Sequence, residues 1–227
     1  MTLLIAEISN HHMGSIEKAK ELIRIAKESG AAYVKGQAFE AKDMLKWGTM
    51  PLSFYEKCAL KYHEYKELIL YGDNIGIPVF FTILSPKLSG LGATQEYKKL
   101  HAELSKICRK DKFWHYDKDN VFISMKSPRI DVKEIKKAKL LYATEYLEDL
   151  DLEGYETLQR FYMRTIGVSH HGKVCNELYK LQDIYDIPWV EKHFYLGDPI
   201  IWEGQTYRDC LHSFTPSEFE FLVRNLN

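Results

Sequence analysis

Eight short runs rich in Val, Ile, Phe and Tyr punctuate the 227-residue chain, and amphipathic or charged stretches separate most of them. They fall at Leu3 to Ile8, Ala32 to Phe39, Pro78 to Leu84, Tyr97 to Glu103, Asn120 to Lys126, Lys139 to Tyr146, Thr165 to His171 and Trp189 to Leu196. Between the first two, Ser15 stands at a helix N-cap position. Ile16, Ala19, Leu22, Ile23 and Ala26 then make one apolar face, and Gly30 follows the end, so the segment reads as a βαβ unit. Inner strands that are nearly continuous apolar runs belong to parallel sheets covered on both faces. Eight of them alternating with helices predict an α/β fold, a parallel eight-stranded β/α (TIM) barrel, rather than an open doubly wound sheet. At about 28 residues per unit the barrel is a short version, so some helices must be short or missing. Ser85 to Glu96, with Pro86, Gly90 and Gly92, reads as loop rather than helix.

The length fits one domain, 1–227, with a substantial core. Thirty-one Lys and Arg against 32 Asp and Glu leave a net charge of −1, so no global field recruits nucleic acid or an anionic membrane. The start of the chain lacks a basic leader, and no apolar stretch approaches the roughly 20 residues of a membrane span. The expectation is a soluble, cytoplasmic protein. Cys58, Cys108, Cys175 and Cys210 are widely spaced with no CxxC pair, which fits reduced thiols better than a disulfide framework or a zinc knuckle.

In a β/α barrel the C-terminal strand ends and the loops after them build the site. Polar residues collect there: Glu7, Asn10, His11 and His12 after strand one, Lys35 and Gln37 on strand two, Thr82 on strand three. Strand four offers Lys98, Lys99, His101 and Glu103, strand five Ser124 and Lys126, and strand six Thr144, Glu145 and Tyr146. Strand seven ends Ser169, His170, His171, and strand eight holds Glu191, Lys192 and His193. Strands seven and eight are neighbours, so His171 and His193 can converge on one divalent ion. Lys35 and Lys98 lie in otherwise apolar strands, where an ammonium is costly unless paired or facing a wet cavity, so they should meet an anion. Glu7 and Glu103 can serve as their partners or as proton carriers.

Several segments, in order, are similar to the motifs of one known family. Ile5-Ala6-Glu7-Ile8 with His12 and Gly14-Ser15 is similar to the family's AEIG followed by N-x-H-x-G, and Val34-Lys35-Gly36-Gln37 to its VKFQ. Tyr55 to Leu60 resembles a helical segment of some members, Phe81-Thr82 falls where TPF is expected, and Tyr97-Lys98 with Glu103 is similar to YKIASGE. Leu141 to Tyr146 resembles LLHCTSxYP, Gly167 to His171 resembles GxSDH, and Val190 to Phe194 matches EKHF. Asp209, His212, Ser213 and Pro216 echo the closing DHxxSLxPEEF, and with these motifs the chain resembles the N-acetylneuraminate (sialic acid) synthases.

The resemblance implies a phosphoenolpyruvate-dependent synthase that joins phosphoenolpyruvate to an acylamino sugar or related aldose and releases phosphate. It implies that His171 and His193 hold a divalent metal, manganese by preference, with magnesium or cobalt as alternatives. Lys35, Thr82, Lys98, Ser124 and Ser169 would hold phosphoenolpyruvate, Glu7, Tyr146 and Asp209 would face the sugar, and Glu103 would move a proton. Departures accompany it: STGM is reduced to Ser124-Met125-Lys126, SDH has become Ser169-His170-His171, and Ser9 stands for the glycine after AEI. The family's C-terminal antifreeze-like domain, whose arginine reaches a neighbouring subunit's site, has no counterpart in this sequence. Lys126 is placed to substitute for that charge. A homodimer and a separately encoded antifreeze-like domain are the protein partners this leaves open. A metal-assisted aldolase or lyase, and a non-catalytic sugar-phosphate-binding descendant, are the competing readings on the same scaffold.

Overall fold

A computed structural model describes residues 1–46, 48–93, 98–101, 121–128, 138–144 and 147–227. The anticipated strands are present: β1 (Leu3–Ser9), β2 (Tyr33–Ala38), β3 (Val79–Ile83), β4 (Lys98–His101), β5 (Val121–Met125), β6 (Lys139–Ala143), β7 (Gly167–His170) and β8 (Trp189–His193). They form a curled parallel sheet in sequence order, in which β8 returns to pair with β1 and closes the ring. The thinnest link is β3 to β4, where Thr82 opposite Lys99 is the registered pair. The α/β class with a parallel sheet is therefore as the apolar runs predict.

Helix α1 (Ile16–Glu28) follows β1, capped by Ser15, whose hydroxyl accepts from the Lys18 N–H. Its buried Ala19, Leu22, Ile23 and Ala26 face the sheet. Helices α2 (Leu52–Cys58) and α3 (Tyr62–Ile75) follow β2; α4 (Leu152–Tyr162), α5 (Asn176–Ile184) and α6 (Pro216–Leu226) follow β6, β7 and β8. The segment after β3, read from sequence as loop, is a 3-10 helix over Pro86–Ala93, with Pro86 at its start and two glycines near its end. A two-strand hairpin, β9 (Ile201–Trp202) with β10 (Gln205–Thr206), and a 3-10 turn at Arg208–Leu211 lie between β8 and α6.

Two apolar layers hold the sheet. Outward side chains pack under the helices in a core that includes Leu4, Val34, Val79, Ile123, Leu140, Val168 and Val190. Inward ones at the N-terminal end, Ile5, Phe80, Phe122 and Leu141, pack with Tyr33 and Trp189, and the Phe80 and Phe122 rings stack at 5.4 Å. With the lower interior filled, polar side chains on the same strands are displaced upward to the C-terminal mouth. Cys58, Cys175 and Cys210 are buried free thiols, as expected; Cys108 lies outside the described residues.

Candidate active site

Strand alternation determines which residues reach the mouth. Glu7, Lys35 and the pair Glu191 and His193 face inward; Glu7 is registered between Lys35 on β2 and His193 on β8. Lys35 Nζ pairs with Glu7 and lies 3.0 Å from Glu191 Oε1, which also receives Lys99 Nζ at 2.5 Å and the Ser169 hydroxyl at 2.7 Å. All four charged side chains are buried. Lys99 brings the second ammonium to this floor, and the side chain of Lys98 is outside the described ones.

Burial and partners act in opposite directions on these groups. Burial outweighs Lys35 at Glu7, whose carboxyl is raised to about 7. Burial lowers Lys99 to about 8 despite Glu191. Burial would also lower Lys35, but Glu191 and Glu7 raise it; burial would raise Glu191, but Lys35 and Lys99 hold it well below the carboxylate range. The floor is thus a mixed set of two carboxyls and two amines. It borders a cavity of about 230 Å³ that Thr82, Ser124 and Lys126 also line.

Above it, His171, His193 and His212 form a rim, with ring centroids 4.3 Å apart for His193 and His212, 5.5 Å for His171 and His193, and 5.6 Å for His171 and His212. His193, Asp209 and His212 each offer a ligand atom within 4.8 Å of the others. His193 Nδ1 is 3.8 Å from Asp209 Oδ2, beyond hydrogen-bond reach, and neither it nor His171 Nδ1 has a hydrogen-bond partner among the described residues. Burial holds the imidazoles of His171 and His193 well below the usual value and lowers His212 to about 4, so all three present neutral nitrogen. Buried polar atoms normally find partners. Neutral imidazole nitrogens left without one, beside a carboxylate, fit the ligand set of a divalent transition metal. The rim borders an adjoining cavity of about 300 Å³, which Gln37, Tyr55, Thr144 and Arg208 also line.

Asp209 is fixed by hydroxyls: Tyr207 donates to its Oδ2 at 2.6 Å, and Ser9 donates to the same oxygen. Ser9 sits at φ +45°, in the left-handed region where glycine is favoured, and its N–H donates to Glu7 Oε1 at 2.7 Å. That conformation accounts for glycine in the resembled motif. Gln37 reaches Ser9 and Asn10, and Asn10 reaches Tyr207.

The structure therefore brings together Glu7, Lys35, Thr82, Ser124, Ser169, His171, His193 and Asp209, with Lys126 exposed at the lip of both cavities. Glu103 and Tyr146 lie outside the described residues. His212 and Glu191 were named from sequence without a role, and the Ser9–Tyr207 support of Asp209 was not read there. Their signals were the DHxxS echo for His212 and the i, i+2 spacing of Glu191 with His193. His170 turns away from the cavity.

An uncharacterized protein of Methanocaldococcus jannaschii is 26% identical over 99% of this chain and 70% of its own length. An N,N'-diacetyllegionaminic acid synthase of Campylobacter jejuni is 36% identical over 36% of this chain and 28% of its own length, and a mouse N-acetylneuraminate-9-phosphate synthase 35% identical over 35% and 25%. No family model matches the chain. Among solved structures, a sialic acid synthetase of Leptospira borgpetersenii superposes with a TM-score of 0.76 at 19% identity, over 99% of this chain and 82% of the other. The chain resembles the sialic acid synthases. A spore coat polysaccharide biosynthesis protein of Bacillus subtilis gives 0.75 at 19% identity, over 99% and 67%. No helix among the described residues is long and apolar enough to cross a membrane.

Proposed function

We propose that the chain is a single-domain β/α-barrel synthase that condenses phosphoenolpyruvate with an acylamino sugar or related aldose. The products are a sialic-acid-like keto sugar acid and inorganic phosphate. The observation that carries this reading is the pairing, across one mouth, of a buried lysine–glutamate floor with a rim of neutral histidines and one carboxylate. An anion with an enol and a carboxylate matches the ammoniums of Lys35 and Lys99 and the hydroxyls of Thr82, Ser124 and Ser169. A sugar whose aldehyde must be oriented matches the rim.

In the reaction C3 of the enol attacks the aldehyde carbon, the aldehyde oxygen takes a proton, water adds at C2, and phosphate leaves with C2 becoming the keto carbon. Lys35 and Lys99 hold the phosphoenolpyruvate charge, and Glu7, whose carboxyl is raised to about 7, is poised to exchange a proton at neutral pH. Glu103 is the second proton carrier on the same reading. His171 and His193, with Asp209 and His212 in reach, would hold a divalent ion, which when bound supplies Lewis-acid polarisation of the aldehyde. Asp209, steadied by Ser9 and Tyr207, and Tyr146 would face the sugar. Lys126 at the lip adds positive charge for an anion.

A coupled phosphate-release assay with phosphoenolpyruvate, Mn²⁺ and a panel of aldoses tests the proposal. Aldose-dependent release supports it. No release with any aldose, and no calorimetric heat with phosphoenolpyruvate at millimolar concentration, refutes a barrel that acts alone and points to a separately encoded arginine-bearing partner.

A further inference from the structure

The outer face of β7 and β8 carries a polar cluster that this chemistry does not use. Lys192 lies between the inward Glu191 and His193, so it projects toward the helices, where its side chain is fully buried. A buried ammonium is costly without a counter-charge. Yet among the described residues no carboxylate oxygen lies within 4.0 Å of its Nζ. Its neighbours are the Gly172 carbonyl, the Phe214 ring at 4.3 Å, and His170 Nδ1 at 3.2 Å. Across the same ring, His170 Nε2 lies 3.2 Å from Asp149 Oδ1.

Chemistry fixes the protons in this chain. An ammonium only donates, so Nδ1 of His170 accepts and the ring proton sits on Nε2, which donates to Asp149. We infer that Asp149 is the counter-ion of Lys192, reached through a neutral His170, and that this strut positions His171 and His193. His170 and Lys192 are registered across β7 and β8, and each immediately precedes a rim histidine, His171 or His193. Asp149 in turn accepts from the N–H groups of Leu150 and, at the start of α5, Glu177, at 2.7 and 3.1 Å. The strut therefore joins the loop after β6, the end of β7, the end of β8 and α5. All three residues are positioning residues, because none of them lines the cavities.

The geometry also predicts a rescue. An aspartate oxygen at position 170 would branch from the same carbon as His170 Nδ1, and would meet Lys192 directly. Asp149 would then be dispensable as a counter-ion.

The functional part of the inference rests on the proposed metal site; the proton arrangement does not. In the full chain, nitrogen-15 histidine spectra should show His170 as the neutral Nε2–H tautomer, and an Nδ1–H tautomer or an imidazolium at pH 7 overturns the strut. Calorimetric titration with Mn²⁺ alone should show affinity weakened about 10- to 100-fold in Asp149→Asn, which keeps an acceptor oxygen but loses the charge. Adding His170→Asp to that variant should restore most of it. Wild-type affinity in Asp149→Asn, or a double variant no better than the single one, overturns the positioning role. A wild type that binds no Mn²⁺ refutes the metal site itself, and the tautomer then decides the strut independently.

Discussion

On the floor of the mouth each ammonium meets a carboxylate, Lys35 with Glu7 and Glu191, and Lys99 with Glu191. On the rim above, His171 and His193 present ring nitrogens with no hydrogen-bond partner among the described residues, and Asp209 stands 3.8 Å from His193. The floor is built on strand ends and pairs its charges internally, although Glu191 Oε2 and Thr82 Oγ1 accept no hydrogen bond among the described residues, whereas the rim, which adds Asp209 from a turn, leaves those ring nitrogens without a partner there. A self-paired cluster contributes to folding and is preorganised before any ligand arrives. A cluster with unused donors gives up stability to keep coordination positions available.

Removing one member from each region separates the two most widely. Glu191→Ala strips the shared carboxylate from two buried ammoniums and should destabilise the fold by about 3–5 kcal/mol in denaturant unfolding. His171→Ala or His193→Ala should cost about 1 kcal/mol or less. Elemental analysis should show that each abolishes stoichiometric metal binding. A rim variant as unstable as the floor variant would erase the distinction.

Turnover and substrate affinity test the proposed chemistry next. Glu103→Gln should reduce the turnover number about 10²-fold with substrate affinity nearly intact, which progress curves under saturation will show. Lys99→Met should weaken phosphoenolpyruvate binding by roughly 1.5–3 kcal/mol by calorimetry, the worth of a hydrogen bond to a charged group. An unchanged affinity would make Lys99 only a partner for Glu191.

The last comparison uses acid. His12, buried after β1 away from the rim, accepts from the Gly14 N–H, and burial lowers its imidazole to about 4. Unfolded, it takes a proton near pH 6.5. Between those values the unfolded chain binds the extra proton, so the stability is full above about pH 6.5 and is lost as pH falls toward 4. Unfolding free energies at pH 7, 5.5 and 4.5 should fall less steeply in His12→Asn than in wild type.

How much of this could be read beforehand varied with the kind of information each feature needs. Strands buried on both faces show as apolar runs, so all eight were legible; their ends needed the hydrogen-bond ladder, as at β6, which stops at Ala143. Lys35 and Glu7 stood out because a charge in an apolar strand has few explanations. Lys99 was not legible as the second lysine of the floor, since only register and coordinates bring it to Glu191. His212 follows a hairpin and a turn, and no local pattern carries a loop residue back to the mouth. The link from Lys192 to Asp149 spans three βα units and required coordinates.

The packed aromatic layer beneath the floor has a consequence for traffic. With Phe80 and Phe122 stacked and Tyr33, Leu141 and Trp189 around them, the lower end of the sheet is sealed among the described residues. Among the described residues, the way to the lysines is then through the C-terminal mouth, which the histidines flank. A molecule held at the rim is then a cork for the one below it, so arrivals and departures are queued. The deeper occupant is the first in and the last out.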